Sequence, residues 1–147
     1  MARKWQYIVV HHNGVAGRTI DDIRRTHRGF GWRDVGYHKV IHENGDVLRG
    51  RPEDKAGAHR RGLNTKALGL CLIGNGNRKD MNESQYLAAC VIIREWQLAY
   101  GIPTENVVGH RETNPLVAKK YRTRKQCPGR KVDMDKLRAM LDHQYDG

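Results

Sequence analysis

The stretch "IVVHHNG", residues 8–14, sets three β-branched residues before two histidines and an Asn-Gly pair. Isoleucine and valine crowd a helix but suit a covered, pleated surface, so "QYIVVH" reads as a short central strand. Successive side chains of a strand point to opposite faces, so His11 and His12 cannot share one task. A histidine that closes a buried strand stands at the rim of the sheet, where loops gather and sites are commonly built.

Outward from this strand the chain alternates strands and helices. "TIDDIRRTHRG" predicts a helix, with Thr19 as its cap, Asp21 and Asp22 in its first turn and Gly29 at its stop. "YHKVIHENGDVLRGR" predicts a hairpin that turns at Asn44-Gly45, and "ALGLCLIGN" a buried strand. "NESQYLAACVIIREWQLAYG" is the longest helical stretch, boxed by Asn82 and Gln85 and ended by Gly101. It is apolar over much of its circumference, and is expected to lie on the sheet and be largely covered. "NVVGH" gives a last strand, and "DMDKLRAMLDHQY" a terminal helix with Met134, Leu137 and Leu141 on one face. The expected fold class is α/β: a single domain, a central mixed β-sheet flanked by helices.

A length of 147 residues suits one compact domain with a single core. No apolar run approaches the roughly 20 residues of a membrane span. The start, "MARKWQYIVV", lacks a small-residue cleavage pattern and reads as mature strand, which predicts no signal peptide and residence in the cytoplasm. The three cysteines form neither a disulfide framework nor a CxxC metal site. Cys71 and Cys90 have apolar neighbours and read as small buried hydrophobes. Cys127, in "RKQCPGRK", is basic all round, and such surroundings favour a thiolate.

The formal net charge of +11 predicts attraction to polyanions. From Thr113 to Val132 there are seven Lys or Arg and no acid, so this loop is the natural contact. No recognised nucleic-acid motif accompanies it, and no nucleic-acid partner is expected.

A second strand also ends in histidine, "VVGH" at His110. Two imidazoles and the Cys127 thiolate would make a His₂Cys set with one position open, a plausible catalytic zinc site. The absence of HExxH excludes the usual helical zinc protease.

Five segments in this order, "IVVHHNG", "GWRDVGYHKVI", "GAHRRGLNTKALGLCLIGN", "VVGHRE" and "RKQCPGRK", resemble the zinc-dependent N-acetylmuramoyl-L-alanine amidases related to peptidoglycan recognition proteins, most of all the short phage endolysin form. The likeness runs from about Gln6 to Leu141. It implies His11, His110 and Cys127 as ligands of one zinc ion per chain, and Tyr37 and Lys125 as the catalytic pair. It places His59 and Asn64 on the border of the substrate groove. The reaction implied is hydrolysis of the amide between the lactyl group of N-acetylmuramic acid and L-alanine, which lyses bacterial walls. On this reading residues 1–147 form one catalytic domain without a separate wall-binding domain, expected as a monomer. The basic loop over residues 119–131 would then hold anionic wall or outer-membrane polymers, once the protein is released or the membrane made permeable. Two other readings stay open: a cytoplasmic amidase that recycles muropeptides, and a non-catalytic module that binds peptidoglycan or regulates a polymerase. Trp32 is expected in the core or groove wall, His12 beside the "NGVAG" turn, and His27 on the surface. Glu112 is expected at the surface or as a cap, His38 and His42 as structural or solvent-facing.

Overall fold

The computed structural model describes residues 4–143. The chain runs β1 (Tyr7–His12), α1 (Ile20–Gly29), β2 (Lys39–Ile41), β3 (Val47–Arg49), β4 (Ala67–Leu72), α2 (Glu83–Tyr100), β5 (Val107–Gly109) and α3 (Met134–His143). The expected continuation of the last helix over Gln144 and Tyr145, and the first three residues, lie outside the described residues.

The five strands form one mixed sheet in the order β3-β2-β4-β1-β5. β1 runs parallel to both β4 and β5, β2 parallel to β4, and only β2 and β3 pair antiparallel. The fold class is as the sequence predicts, with "IVVHH" at its centre. Register then does the positioning. Val10 stands beside Gly109 and His11 beside Cys71, so His11 and the next residue of the β5 chain, His110, arrive together at the carboxyl ends of adjacent parallel strands.

Strand alternation divides the side chains between two layers. Ile8 and Val10 of β1 and Leu68, Leu70 and Leu72 of β4 pack with Ile93 and Trp96 of α2 and Leu137 and Leu141 of α3. Val9, Ala67 and Cys71 point the other way, toward α1 and the loops. The local signals act as expected: Thr19 caps α1, Asn82 and Gln85 box the start of α2, and Gly101 closes α2 at φ +69°. The Asp22 side chain in turn accepts the Thr19 amide, which makes a box at α1 as well.

α2 departs from its expectation of being largely covered. Leu87, Val91 and Leu98 are 53%, 56% and 73% exposed. A helix on a sheet presents one arc to it, and α3 flanks α2 on only one side, so the remaining apolar arc faces outward. The basic loop also holds more structure than its composition announced, in three short 3-10 turns at His110–Glu112, Asn114–Leu116 and Lys119–Tyr121. Among the described residues no helix is long and apolar enough to cross a membrane.

Candidate metal centre

His11 follows Val9 onto the face opposite α2, and is 2% exposed. His110 is 8% exposed, and the ring centroids of the two histidines are 4.9 Å apart. The loop before α3 brings Cys127 back over the end of β1, where the His12 amide donates to its Sγ at 3.4 Å. His11 Nδ1 stands 3.5 Å from that sulfur. One donor atom from each of His11, His110 and Cys127 lies within 4.8 Å of the others, a spread that one ion could gather. The structure thus brings together all three residues expected as ligands.

Electrostatics suit two of these donors for coordination at once. Burial, reinforced by the neighbouring His59 and His110, pushes His11 well below the ordinary imidazole value. Burial lowers His110 to about 4, helped by the charges of Arg60 and Lys125. Both rings are neutral at neutral pH, which is the form that ligates. Cys127 differs from the thiolate expected of its basic neighbours. Burial pushes the thiol up to about 11, against the opposing pull of the His12 amide, Lys125 and Arg111. Sequence reports the charges around a cysteine but not its loss of solvent, and here desolvation wins. Coordination must therefore displace the thiol proton, as soft thiolate binding to zinc ordinarily does.

Tyr37 packs beside this cluster, its ring 5.2 Å from that of His11. Burial, and then the nearby Cys71 and Cys127 thiols, raise its hydroxyl well above the ordinary value. It stays a neutral phenol, able to donate a hydrogen bond or a proton. Cys71, buried as expected, is thus also a neighbour of the Tyr37 hydroxyl.

Two recesses open near the cluster, one reaching Tyr37 and the other His110. One, of about 530 Å³, is lined by Asn13, Arg18, Ile23, His27 and Tyr37. The other, of about 360 Å³, is lined by Trp32, His59, Asn64, His110, Lys120 and Lys125. Lys125 is exposed, and its charge reaches both His110 and Cys127. Asn64 borders the recess, but its side-chain oxygen accepts the amides of His59 and Arg60 at 2.9 and 2.8 Å. Both nitrogens of His59 are engaged within the protein, by His11 and by the Ala67 carbonyl, each at 2.9 Å.

Other expectations sort themselves by partner. His12 is braced, not against "NGVAG", but by accepting the Gly76 amide at 3.0 Å on the loop after β4. His38 is buried between the Gly69 amide and the Lys55 carbonyl, and His42 accepts the Ile20 amide at the start of α1. Glu112 caps Gly109 and pairs with Arg138 of α3 at 2.9 and 3.0 Å, which removes it from the donor cluster. Trp32 walls the second recess. His27, expected at the surface, lines the first recess and accepts the Gly36 amide, next to Tyr37, at 2.9 Å.

Arg60 carried no sequence signal beyond one more positive charge. It is 4% exposed and donates to Thr113 Oγ1, the Tyr121 carbonyl and Asn114 Oδ1 at 2.8, 2.6 and 3.0 Å. It is a strut that fixes the loop leading to Lys125 and Cys127.

Residues 1–130 match the protein family described as N-acetylmuramoyl-L-alanine amidase. The endolysin of Klebsiella phage KP32 is 39% identical over 70 residues, covering 48% of this chain and 46% of that protein, so the match spans about half the length of each. Peptidoglycan-recognition protein SC2 of Drosophila melanogaster is 26% identical over 144 residues, covering 90% of this chain and 72% of its own. Among solved structures, the N-acetylmuramoyl-L-alanine amidase LysC from Clostridium intestinale URNW superposes with a TM-score of 0.83 at 28% identity, over 96% of this chain and 87% of that one.

Proposed function

The chain belongs to the N-acetylmuramoyl-L-alanine amidase family, and on that premise we propose that it is a zinc-dependent peptidoglycan hydrolase of the endolysin kind. Its bond is the amide between the lactyl group of N-acetylmuramic acid and L-alanine. The observation that carries the proposal is the convergence of His11, His110 and Cys127 donors within 4.8 Å, with His110 lining an open recess. A pure binding module has no need of that convergence.

His11, His110 and Cys127 would hold one zinc ion, and their two-nitrogen, one-sulfur chemistry suits zinc with a position left open. When bound, the ion supplies an activated water and polarises the scissile carbonyl. Tyr37, kept as a phenol by burial, donates to the oxygen that gains negative charge. Lys125 places its ammonium on the opposite recess, where it stabilises the same charge without being buried itself. The two recesses accommodate the glycan and the peptide on either side of the bond, and Trp32 offers an aromatic wall. Glu112 is not the general base in this account, because both its oxygens are spent on Arg138.

The basic loop over residues 119–131 would meet anionic wall or outer-membrane polymers after the protein leaves the cytoplasm, with the chain acting as a monomeric catalytic domain. Neutralising Lys119, Lys120, Arg122 and Arg124 should then flatten the salt dependence of whole-wall lysis; an unchanged salt profile removes the loop from the account.

The test of the activity is digestion of purified peptidoglycan, with product ends identified. New L-alanine amino termini, lost on chelation and restored by zinc, support the proposal. New reducing sugar ends, or cleavage indifferent to chelation, overturn it.

A further inference from the structure

We propose that His59 is a positioning residue: it fixes the tautomer and orientation of His11, so that His11 offers Nδ1 to the ion shared with His110 and Cys127. The inference rests on the metal reading above and assigns His59 a task other than contact with substrate.

The placement of the protons decides which nitrogen of His11 is free. The Ala67 carbonyl can only accept, so its 2.9 Å contact with His59 Nε2 puts a hydrogen on that nitrogen. A neutral imidazole carries one N–H, and the contact with the Ala67 carbonyl has already claimed it. His59 Nδ1 is therefore an acceptor. It lies 2.9 Å from His11 Nε2, which must then carry the hydrogen of His11. The lone pair of His11 is left on Nδ1, the nitrogen 3.5 Å from Cys127 Sγ. A backbone carbonyl that cannot move thus sets, through two rings, which nitrogen of His11 faces the metal site. Metal-bound histidines ordinarily give their second nitrogen to a carboxylate or carbonyl; here an imidazole takes that place.

The sheet is shaped to hold this ring. β4 carries Gly69 between Ala67 and Cys71 on the face that His59 covers, and a Cβ there would come within 2.7 Å of His59 Cδ2. A glycine inside a buried strand weakens it, and commonly marks the close approach of another group. Asn64 fixes the near end by accepting the His59 amide at 2.9 Å. The two rings meet edge to face, at 84° and 5.0 Å between centroids. With both nitrogens spent, His59 has neither an N–H nor a lone pair left for substrate.

The first measurement uses the metal-free wild-type protein, with imidazole nitrogens resolved by ¹⁵N NMR. His11 and His59 should both be Nε2–H tautomers; an Nδ1–H tautomer at either overturns the proposal. The second is zinc affinity by chelator competition for wild type, His59→Phe and His59→Gln. His59→Phe should weaken zinc about 10- to 100-fold with the fold retained by circular dichroism. His59→Gln, whose amide can accept from His11 and donate to Ala67, should recover most of the loss. Equal affinity in wild type and His59→Phe sinks this inference alone, whereas a wild type that binds no zinc sinks the metal reading beneath it. If His59→Phe does not fold, the wild-type tautomers still decide.

Discussion

The two faces of one sheet have been put to opposite uses. On the α2 and α3 side, Ile8, Val10, Leu68, Leu70 and Leu72 meet Ile93, Trp96 and Leu137 in an apolar layer. On the other side the same two strands present Val9, His11, Ala67, Gly69 and Cys71, and what covers them is His59, Tyr37, Leu63 and loops. The first face is stabilised by area removed from water and by close packing, neither of which is directional. On the second, polar groups are buried and each must be matched by a partner. Strand alternation lets one six-residue stretch serve both.

The largest effect should come from the adjacent pair that straddles the two faces. His11→Ala should abolish zinc binding and reduce peptidoglycan cleavage to background. His12→Ala should leave zinc stoichiometry unchanged and cost about 1 kcal/mol for the lost bond to Gly76, read by denaturant unfolding of the metal-free protein. Equal zinc loss in both would break the comparison. Next is Tyr37→Phe, which should keep the metal and lower the rate by about 10²- to 10⁴-fold, the size of a lost proton donor. Full retention of rate would remove Tyr37 from the chemistry.

Leu70→Ala tests the apolar face. It should cost about 2–5 kcal/mol of stability in the same unfolding experiment, while the folded fraction keeps its zinc affinity. The smallest effect is one of pH. Burial, aided by Arg51 and opposed by Asp34, lowers His27 below the ordinary 6.5, and the rings of Phe30, Trp32 and Tyr37 also face it. The unfolded chain therefore takes up the proton first. The contribution of His27 is present above that ordinary value and is lost as the pH falls below it. In His27→Gln the fall in stability between about pH 7 and pH 5 should be shallower than in wild type. An unchanged slope would show that His27 is as solvated as its sequence context suggested.

Much of this division was legible in the sequence. The β-branched run, the cap at Thr19, the capping box at Asn82, and Gly101 are local signals, and local signals survive folding. Alternation required His11 and His12 to differ, and likeness to the amidases chose between them. What was not legible depends on distant chain. Cys127 looked like an activated thiolate because its neighbours in sequence are cations, yet its neighbours in space remove it from water. Arg60 looked like one charge among many, and its three acceptors come 53 to 61 residues later. His59 carried a faint signal in Gly69, a glycine in an otherwise apolar strand, whose meaning appears only when the ring it admits is seen. The exposed arc of α2 failed for the opposite reason: its apolar residues promised a cover that the placement of α3 does not provide.

The central claim is that three residues from two adjacent strand ends and one returning loop make a zinc site that catalysis uses. Elemental analysis of the purified wild type and of Cys127→Ala, each with its rate of peptidoglycan cleavage, tests it most directly. The account predicts close to one zinc per wild-type chain, with metal and activity lost together in Cys127→Ala while the fold remains. A metal-free wild type with full activity, or a Cys127→Ala protein that holds zinc and cleaves as well as its parent, would contradict it.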